Sequence, residues 1–270
     1  MKTNIRGWGG WLLLALVVVY VAFLIVAPLA ALVQGAFQNG LREAGQGLTA
    51  KPFIQALWLS VRIAVAVVAV QAIFGTLTAW VLTRQSFFGK ALLNGLLDIP
   101  FALSPVVVGY MLLLLFGRNG FLGPLLEALK LQVAFAVPGM FLATLFVSLP
   151  FMVREMAPVI ARLDLSQEKA AETLGASRWR IFWEVIFPQL KTALIYGMTL
   201  TFARALGEFG AVLVIGGGVQ GRTETATLYI FRSLDERQYT DAYVAAIVLG
   251  AFSVLLVLIA DTLKRRRIAD

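Results

Sequence analysis

Arg204 and Glu208 interrupt an otherwise apolar stretch, Thr192–Ile215. Their i, i+4 spacing puts both on one face of a helix, where they can pair. A charge at the centre of a bilayer costs about 3 kcal/mol or more, so such residues face protein or water rather than lipid. Arg204 can lend positive potential to the path of a multivalent anion that has left bulk water, with Glu208 orienting it. The same pair would serve equally well as a buried strut between helices. A second chemical feature is Asp98, followed by Pro100 and Ser104-Pro105. Two prolines in one apolar segment break its hydrogen-bond ladder, and such backbone persists only where protein or a water-filled cavity satisfies it. Asp98–Pro105 is therefore either a pore element or a packing kink. Gly207 and Gly210 flank Glu208 as a hinge or as sites of close helix approach. Arg62 lies two turns inside another apolar segment, can reach toward headgroups, and is assigned no role.

Other chemistry is absent. The 270 residues include no Cys and no His, which removes thiol chemistry, structural zinc, Ser-His-Asp triads and His proton relays. No Gly-rich phosphate loop ending in Lys-Ser or Lys-Thr occurs.

A charged island, Glu168–Pro188, lies between two apolar segments. Ser166 is expected to cap a short helix with Glu168 in its first turn, where a carboxylate suits the helix dipole. Gly175 suits the left-handed residue that ends that helix. Ser177 is expected to cap a second helix in which Trp179, Phe182, Trp183 and Ile186 form one apolar stripe. Pro188 cannot continue that helix and fits the first turn of a following span. The small residues Ala170 and Ala171 would let another surface approach the first helix closely. The island reads as an inter-subunit joint or as an amphipathic pair lying on a membrane.

The elements that must position these residues are spans. The chain is 60% hydrophobic and 14% charged, against about 25% charged in soluble domains. It is expected to be an all-α membrane protein. Six segments reach the roughly 20 apolar residues a crossing needs: Trp11–Phe37, Phe53–Leu82, Ala91–Phe116, Val133–Met152, Thr192–Ile215 and Tyr243–Leu263. The first is too long for a signal-peptide core and reads as a retained span. With six spans, one side collects fourteen basic residues: Lys2, Arg6, Arg84, Lys90, six within the loop 154–191, and Lys264–Arg267. The other side has seven. The positive-inside rule places both termini and the loop in the cytoplasm. The chain reads as one membrane domain, 1–270, with a long cytoplasmic loop over 154–191. Gly120–Lys130 is expected to be an interfacial turn of helix, and Gly216–Asp241 a longer polar outer loop.

At this point the residues resemble a known family. Ala170-Ala171, Gly175, Val185, Phe187 and Pro188 stand at the spacing of the EAA loop of ABC importer permeases. The sequence departs from that pattern where the leading Glu falls on Lys169, with Glu168 one position early. Val185 and Phe187 also replace the usual Ile and Leu. Leu97–Gly109, Phe146–Pro158 and Phe202–Ala211 resemble the sulfate/thiosulfate branch, and Ala203–Gly210 is shared with molybdate and tungstate permeases. The resemblance implies a type I permease fold of six transmembrane helices and a non-catalytic subunit of the bacterial inner membrane. It also implies a coupling helix (Ala170, Ala171, Glu172, Gly175, Arg178, Pro188) seated on an ATPase. ATP and magnesium would then be bound by that partner, and no cofactor by this chain. The implied assembly has a second related permease, two ATPase copies and a periplasmic sulfate-binding protein on outer loops including Gly216–Asp241. The translocation-path candidates are Arg204, Glu208, Asp98 and Ser104. One rival is a molybdate or tungstate permease. Another is an ion-coupled secondary transporter, which has only Asp98 and Glu208 as intramembrane acids and leaves the loop unexplained. A scaffold without transport accounts poorly for the intramembrane charges.

Overall fold

The computed structural model describes the backbone of residues 8–269 and the side chains of residues 8–262. Of the basic residues behind the charge asymmetry, the side chains of Lys2, Arg6 and Lys264–Arg267 lie outside the described residues. In chain order the helices are α1 (Trp8–Phe37), α2 (Leu41–Thr49), α3 (Lys51–Arg84), α4 (Lys90–Leu96), α5 (Ile99–Ala102), α6 (Pro105–Phe116) and α7 (Gly123–Ala128). They continue as α8 (Val137–Ala161), α9 (Leu165–Thr173), α10 (Arg178–Ile181), a π-helical turn (Phe182–Ile186), α11 (Phe187–Leu206), α12 (Gly210–Gly216), α13 (Ala226–Asp235) and α14 (Tyr239–Ala269). The all-helical membrane architecture follows the hydropathy of the sequence.

Four helices, α1, α3, α8 and α14, are long and apolar enough to cross a bilayer unbroken. The third and fifth expected spans are not single helices. The segment Lys90–Ala102 meets α6 at 112°, and Arg178–Leu206 meets α12 at 57°. Proline explains the first break. Pro105 supplies no N–H to the preceding turn and drives Ser104 into extended backbone, ψ 137.

The centre is a three-helix contact of α3, α8 and α11. On α3 the buried positions Ser60, Ile63, Ala64, Val67, Gln71, Gly75, Ala79 and Leu82 recur every three or four residues, one face of a helix. That face is small at the crossing. A Cβ on Gly75 would lie 2.7 Å from Met152 Cγ, and one on Gly197 2.9 Å from Met152 Sδ. Met152 of α8 is fully buried between the two glycines. In lipid, where apolar surface alone gives no reason to associate, such close approach supplies the packing energy. The α1 helix stands largely apart, with Ala36 its one buried residue.

The loop expected over 154–191 is shorter than the charge pattern suggests, because α8 continues through Arg154 to Ala161. The first loop helix is capped by Asp164 rather than Ser166: Asp164 Oδ1 accepts from the Ser166 N–H at 2.8 Å, and Oδ2 from its hydroxyl at 2.7 Å. These two donors hold the Asp164 carboxyl below the usual carboxylate range. The cap's contribution is thus present above the ordinary carboxylate pKa and is lost as pH falls through the lowered value. Ser177 caps α10 as expected, its Oγ accepting from the Arg180 N–H at 3.3 Å. Gly175 takes the left-handed conformation, φ 82.

Pro188 stands in the first turn of α11 as expected, but α11 is continuous with the helix before it. The π-helical turn joins α10 to α11, and the Phe187 N–H reaches back five residues to the Phe182 carbonyl. Widening the helix by one residue accommodates a proline whose ring would otherwise press on the preceding turn. The extra residue also splits the expected stripe. Ile181 and Ile186, five apart, are buried, while Trp179 and Trp183 are exposed and pack edge to face at 5.6 Å. The polar segment 216–241 contains α13, and the turn of helix expected near Gly123-Pro124 is α7.

Overpacking a tight core contact costs about 1–3 kcal/mol. Gly75→Leu is expected to lower the denaturation midpoint of the purified protein clearly. Gly250→Leu, on a helix face with no atom within 4 Å of a new Cβ, should leave it nearly unchanged.

Candidate functional site

Arg204 and Glu208 meet where α11 ends and α12 begins. Arg204 is in the last turn of α11, inside the bent fifth span, where a cation complements the helix carbonyls. Glu208 follows the break. Its Oε1 accepts the Ala211 N–H of α12 at 3.0 Å, and its Oε2 lies 2.7 Å from Arg204 Nη2. The Glu208 carbonyl accepts from Thr227 Oγ1 at 2.7 Å, fastening the start of α13 to the same point. Glu208 is 2% exposed, whereas the Arg204 side chain is 26% exposed. The carboxylate is structural in its contacts, and the guanidinium faces a space.

That space is an open cavity of about 290 Å³ lined by Pro105, Val106, Arg204, Gly207, Glu208, Phe209 and Gly210. The two breaks therefore coincide. A Cβ on Gly210 would lie 3.1–3.2 Å from Pro105 and Val106, and one on Gly109 2.7 Å from the Ala211 carbonyl. Gly210 serves close approach. Gly207, whose Cβ would meet only ordinary contacts at 3.7 Å and beyond, leaves room beside Arg204. Among the path candidates, Arg204 and Glu208 come together at this cavity, while Ser104 precedes its wall residue Pro105 without lining it. Asp98 does not line this cavity and is bonded instead to Arg154 of α8, whose Nε donates to Asp98 Oδ1 at 3.2 Å. Arg154 is thus a partner within a helix, not a loop charge.

The loop candidates form a second site at the other end of the bundle. Ala170, Glu172, Gly175, Arg178 and Pro188 are exposed and Ala171 is half-buried. Leu174 is 88% exposed and Trp179 72% exposed, beside the Gly175 elbow. Apolar side chains of this size, rimmed by Glu172, Arg178 and Arg180, mark a surface built for contact.

The displaced acid of the loop has a partner within the chain. Glu168 Oε1 accepts from Arg84 Nη2 at 2.7 Å, with both side chains mostly buried at 23% and 15% exposed. Arg84 ends α3, and its guanidinium lies 5.0 Å from the centre of the Trp80 ring. Glu168 thereby ties the first turn of α9 to the end of the longest helix, leaving Lys169 to point outward. Sequence reasoning counts Arg84 only as a charge of the inner side. A pair separated by 84 positions leaves no local signal.

Comparison with known proteins agrees with this geometry. The sequence profile of binding-protein-dependent transport system inner membrane components matches residues 71–267. A sulfate transport system permease protein CysW of Synechocystis sp. is 41% identical over 95% of this chain and 93% of its own length. The sulfate transport system permease protein CysT of Escherichia coli K12 is 39% identical over 92% of this chain and 89% of its own. Among solved structures, a chain of a bacterial alginate ABC transporter, in complex with an alginate pentasaccharide-bound periplasmic protein, superposes with TM-score 0.75. That match covers 95% of this chain and 94% of that one at 18% identity, a likeness of fold. The chain belongs to the family of binding-protein-dependent transport system inner membrane components and is a multi-pass permease subunit of an ABC importer.

A charge-assisted hydrogen bond of the Arg84–Glu168 kind contributes about 1.5–3 kcal/mol. Arg84→Glu and Glu168→Arg should each loosen α9, read as faster amide exchange over Leu165–Thr173. The double exchange should restore protection. Equal exchange in all four proteins would show that the pair does not hold α9.

Proposed function

We propose that this permease subunit imports sulfate or thiosulfate as half of a heterodimeric pore driven by two copies of a cytoplasmic ATPase. A periplasmic sulfate-binding protein would deliver the anion. The observation that carries the reading is identity of about 41% over nearly the full length with a protein named as a sulfate permease. The positive-inside charge balance supports an orientation with the α9–α10 end and both termini in the cytoplasm and α13 outside.

In this reading α9, α10 and the Gly175 elbow are the coupling unit, and Ala170, Ala171, Glu172, Gly175, Arg178 and Pro188 meet the ATPase. Leu174 and Trp179 supply the apolar anchors. Because α10 runs through the π-helical turn into α11 without a flexible joint, a push on the coupling unit moves the α11 end that carries Arg204. Closure of the ATPases would thus tilt the breaks around the Arg204 cavity between inward-open and outward-open arrangements. Arg204 offers a donor to a divalent oxyanion, and Glu208 keeps it aimed. No covalent step falls to this chain, and ATP with its magnesium belongs to the partner.

Uptake by the complete transporter in vesicles tests the reading. Labelled sulfate should accumulate with ATP and be competed by thiosulfate, whereas molybdate uptake indifferent to excess sulfate would reassign the cargo. Uptake driven by an ion gradient in the absence of any ATPase would overturn the class. Gly175→Pro forces φ from 82 to near −65 and should abolish uptake while membrane insertion stays intact. Arg204→Ala should cut sulfate transport by about tenfold or more, the loss of one charge-assisted contact, without impairing assembly with the ATPase. Unchanged transport would make the pair a packing element.

A further inference from the structure

A second polar cavity lies at the α13 end, sharing no lining residue with the Arg204 cavity. It encloses about 340 Å³ between the first third of α3, the start of α8 at Val137 and the segment leading into α13. Gln55, Trp58, Arg62, Arg222 and Glu224 give it its polar character.

The charges do not cancel. Glu224 is 3% exposed and its carboxylate is already committed: Arg232 Nε lies 2.6 Å from Oε1. No carboxylate lies within salt-bridge distance of Arg62 or Arg222 among the described residues. The Arg62 guanidinium sits 5.6 Å from the Trp58 ring centre, a contact that steers the group without neutralising it. Arg62 is eleven residues beyond Lys51, about 16 Å along the helix axis, and it, Arg222 and Gln55 are exposed at the cavity. The opposing wall is fixed rather than loose. The Val219 N–H donates to Thr223 Oγ1 at 3.0 Å, and the Ala226 N–H donates to Ser60 Oγ of α3 at 2.8 Å. Thr223, Glu224 and Thr225 are all buried, so Arg222 projects from an anchored segment. Two guanidinium groups and a glutamine amide line one polar cavity, and the carboxylate that lines it with them, Glu224, is paired with Arg232 rather than with Arg62 or Arg222 among the described residues. An arrangement of this kind is stabilised by an anion with several oxygens that can take forked hydrogen bonds.

We propose that this cavity is a binding site for a tetrahedral oxyanion, held by Arg62, Arg222 and Gln55. A free sulfate-type ion and the phosphate of a lipid headgroup share that chemistry. That the occupant is cargo waiting outside the pore rests on the transport reading above. That the site takes an oxyanion does not.

The chain has no Cys, so Val137→Cys places one thiol in the cavity wall, and Leu59→Cys serves if that variant does not fold. The probes are an anionic and a cationic methanethiosulfonate reagent, applied to the purified protein in nanodiscs at constant ionic strength. In phosphatidylcholine nanodiscs the anionic reagent should react faster than the cationic one. Arg62→Gln with Arg222→Gln should lower that preference by about tenfold, the scale of local electrostatic focusing. Sulfate should slow modification where chloride does not, and the double substitution should remove the protection. If the occupant is a headgroup, phosphatidylglycerol nanodiscs should give the protection without sulfate, again dependent on both arginines. Absence of protection by sulfate and by phosphatidylglycerol, or protection that persists without the arginines, would overturn the site. Binding is read here without transport, so a chain that moves no sulfate can still show the site, and a sulfate importer can fail to show it.

Discussion

Hydrocarbon offers no hydrogen bonds, and a helix broken within it must find partners for its freed groups inside the protein. The architecture around residues 204–211 follows from that constraint. Where α11 stops and α12 starts, Glu208 uses one carboxylate oxygen for an α12 N–H, the other for Arg204, and its own carbonyl for Thr227. One residue thereby accepts an N–H at the break, neutralises Arg204 and anchors the return segment. Gly109 and Gly210 bring the α6 break against the same spot. A second interruption that would be costly alone is sheltered by the first.

With the breaks fixed, the unbroken helices can act as rods. The α3 helix, about 51 Å long at 34 residues, touches α9 at one end through Arg84 and the α13 segment at the other through Ser60. Between those ends Gly75 closes on Met152, which Gly197 of α11 meets from the other side. Interlocked contacts of this sort resist small deformations and favour movement as a body.

Much of this was legible in the sequence where the signal is local. Gly175, Ser177 and the i, i+4 pair Arg204–Glu208 are read from neighbours in the chain, and each stands in the structure as the spacing requires. Asp164 against Ser166 is a choice between two good caps, two positions apart, that only the loop's path decides. The π-helical turn escapes pattern reading because it abolishes the period on which the pattern rests, turning a stripe at 179, 182, 183 and 186 into burial at 181 and 186. Arg84–Glu168 and Asp98–Arg154 join residues 84 and 56 positions apart. Their charges are visible in the sequence but their partners are not, so hydropathy assigns Arg154 to a loop and the prolines leave Asp98 between a pore element and a packing kink.

The arginines differ in a way that bears on how an anion would pass. Arg204 carries its counter-charge with it, and the field it presents to the cavity is correspondingly weak. Among the described residues no carboxylate lies within salt-bridge distance of Arg62 or Arg222, and both are exposed. Conduction requires attraction sufficient for entry and weak enough for release. A path that meets unneutralised guanidinium groups first and a compensated one later would draw an oxyanion in without holding it at the narrowest point. Glu208 would then serve two ends with one carboxylate: it keeps the broken helix satisfied in lipid, and it keeps Arg204 from binding too tightly the ion it helps to pass.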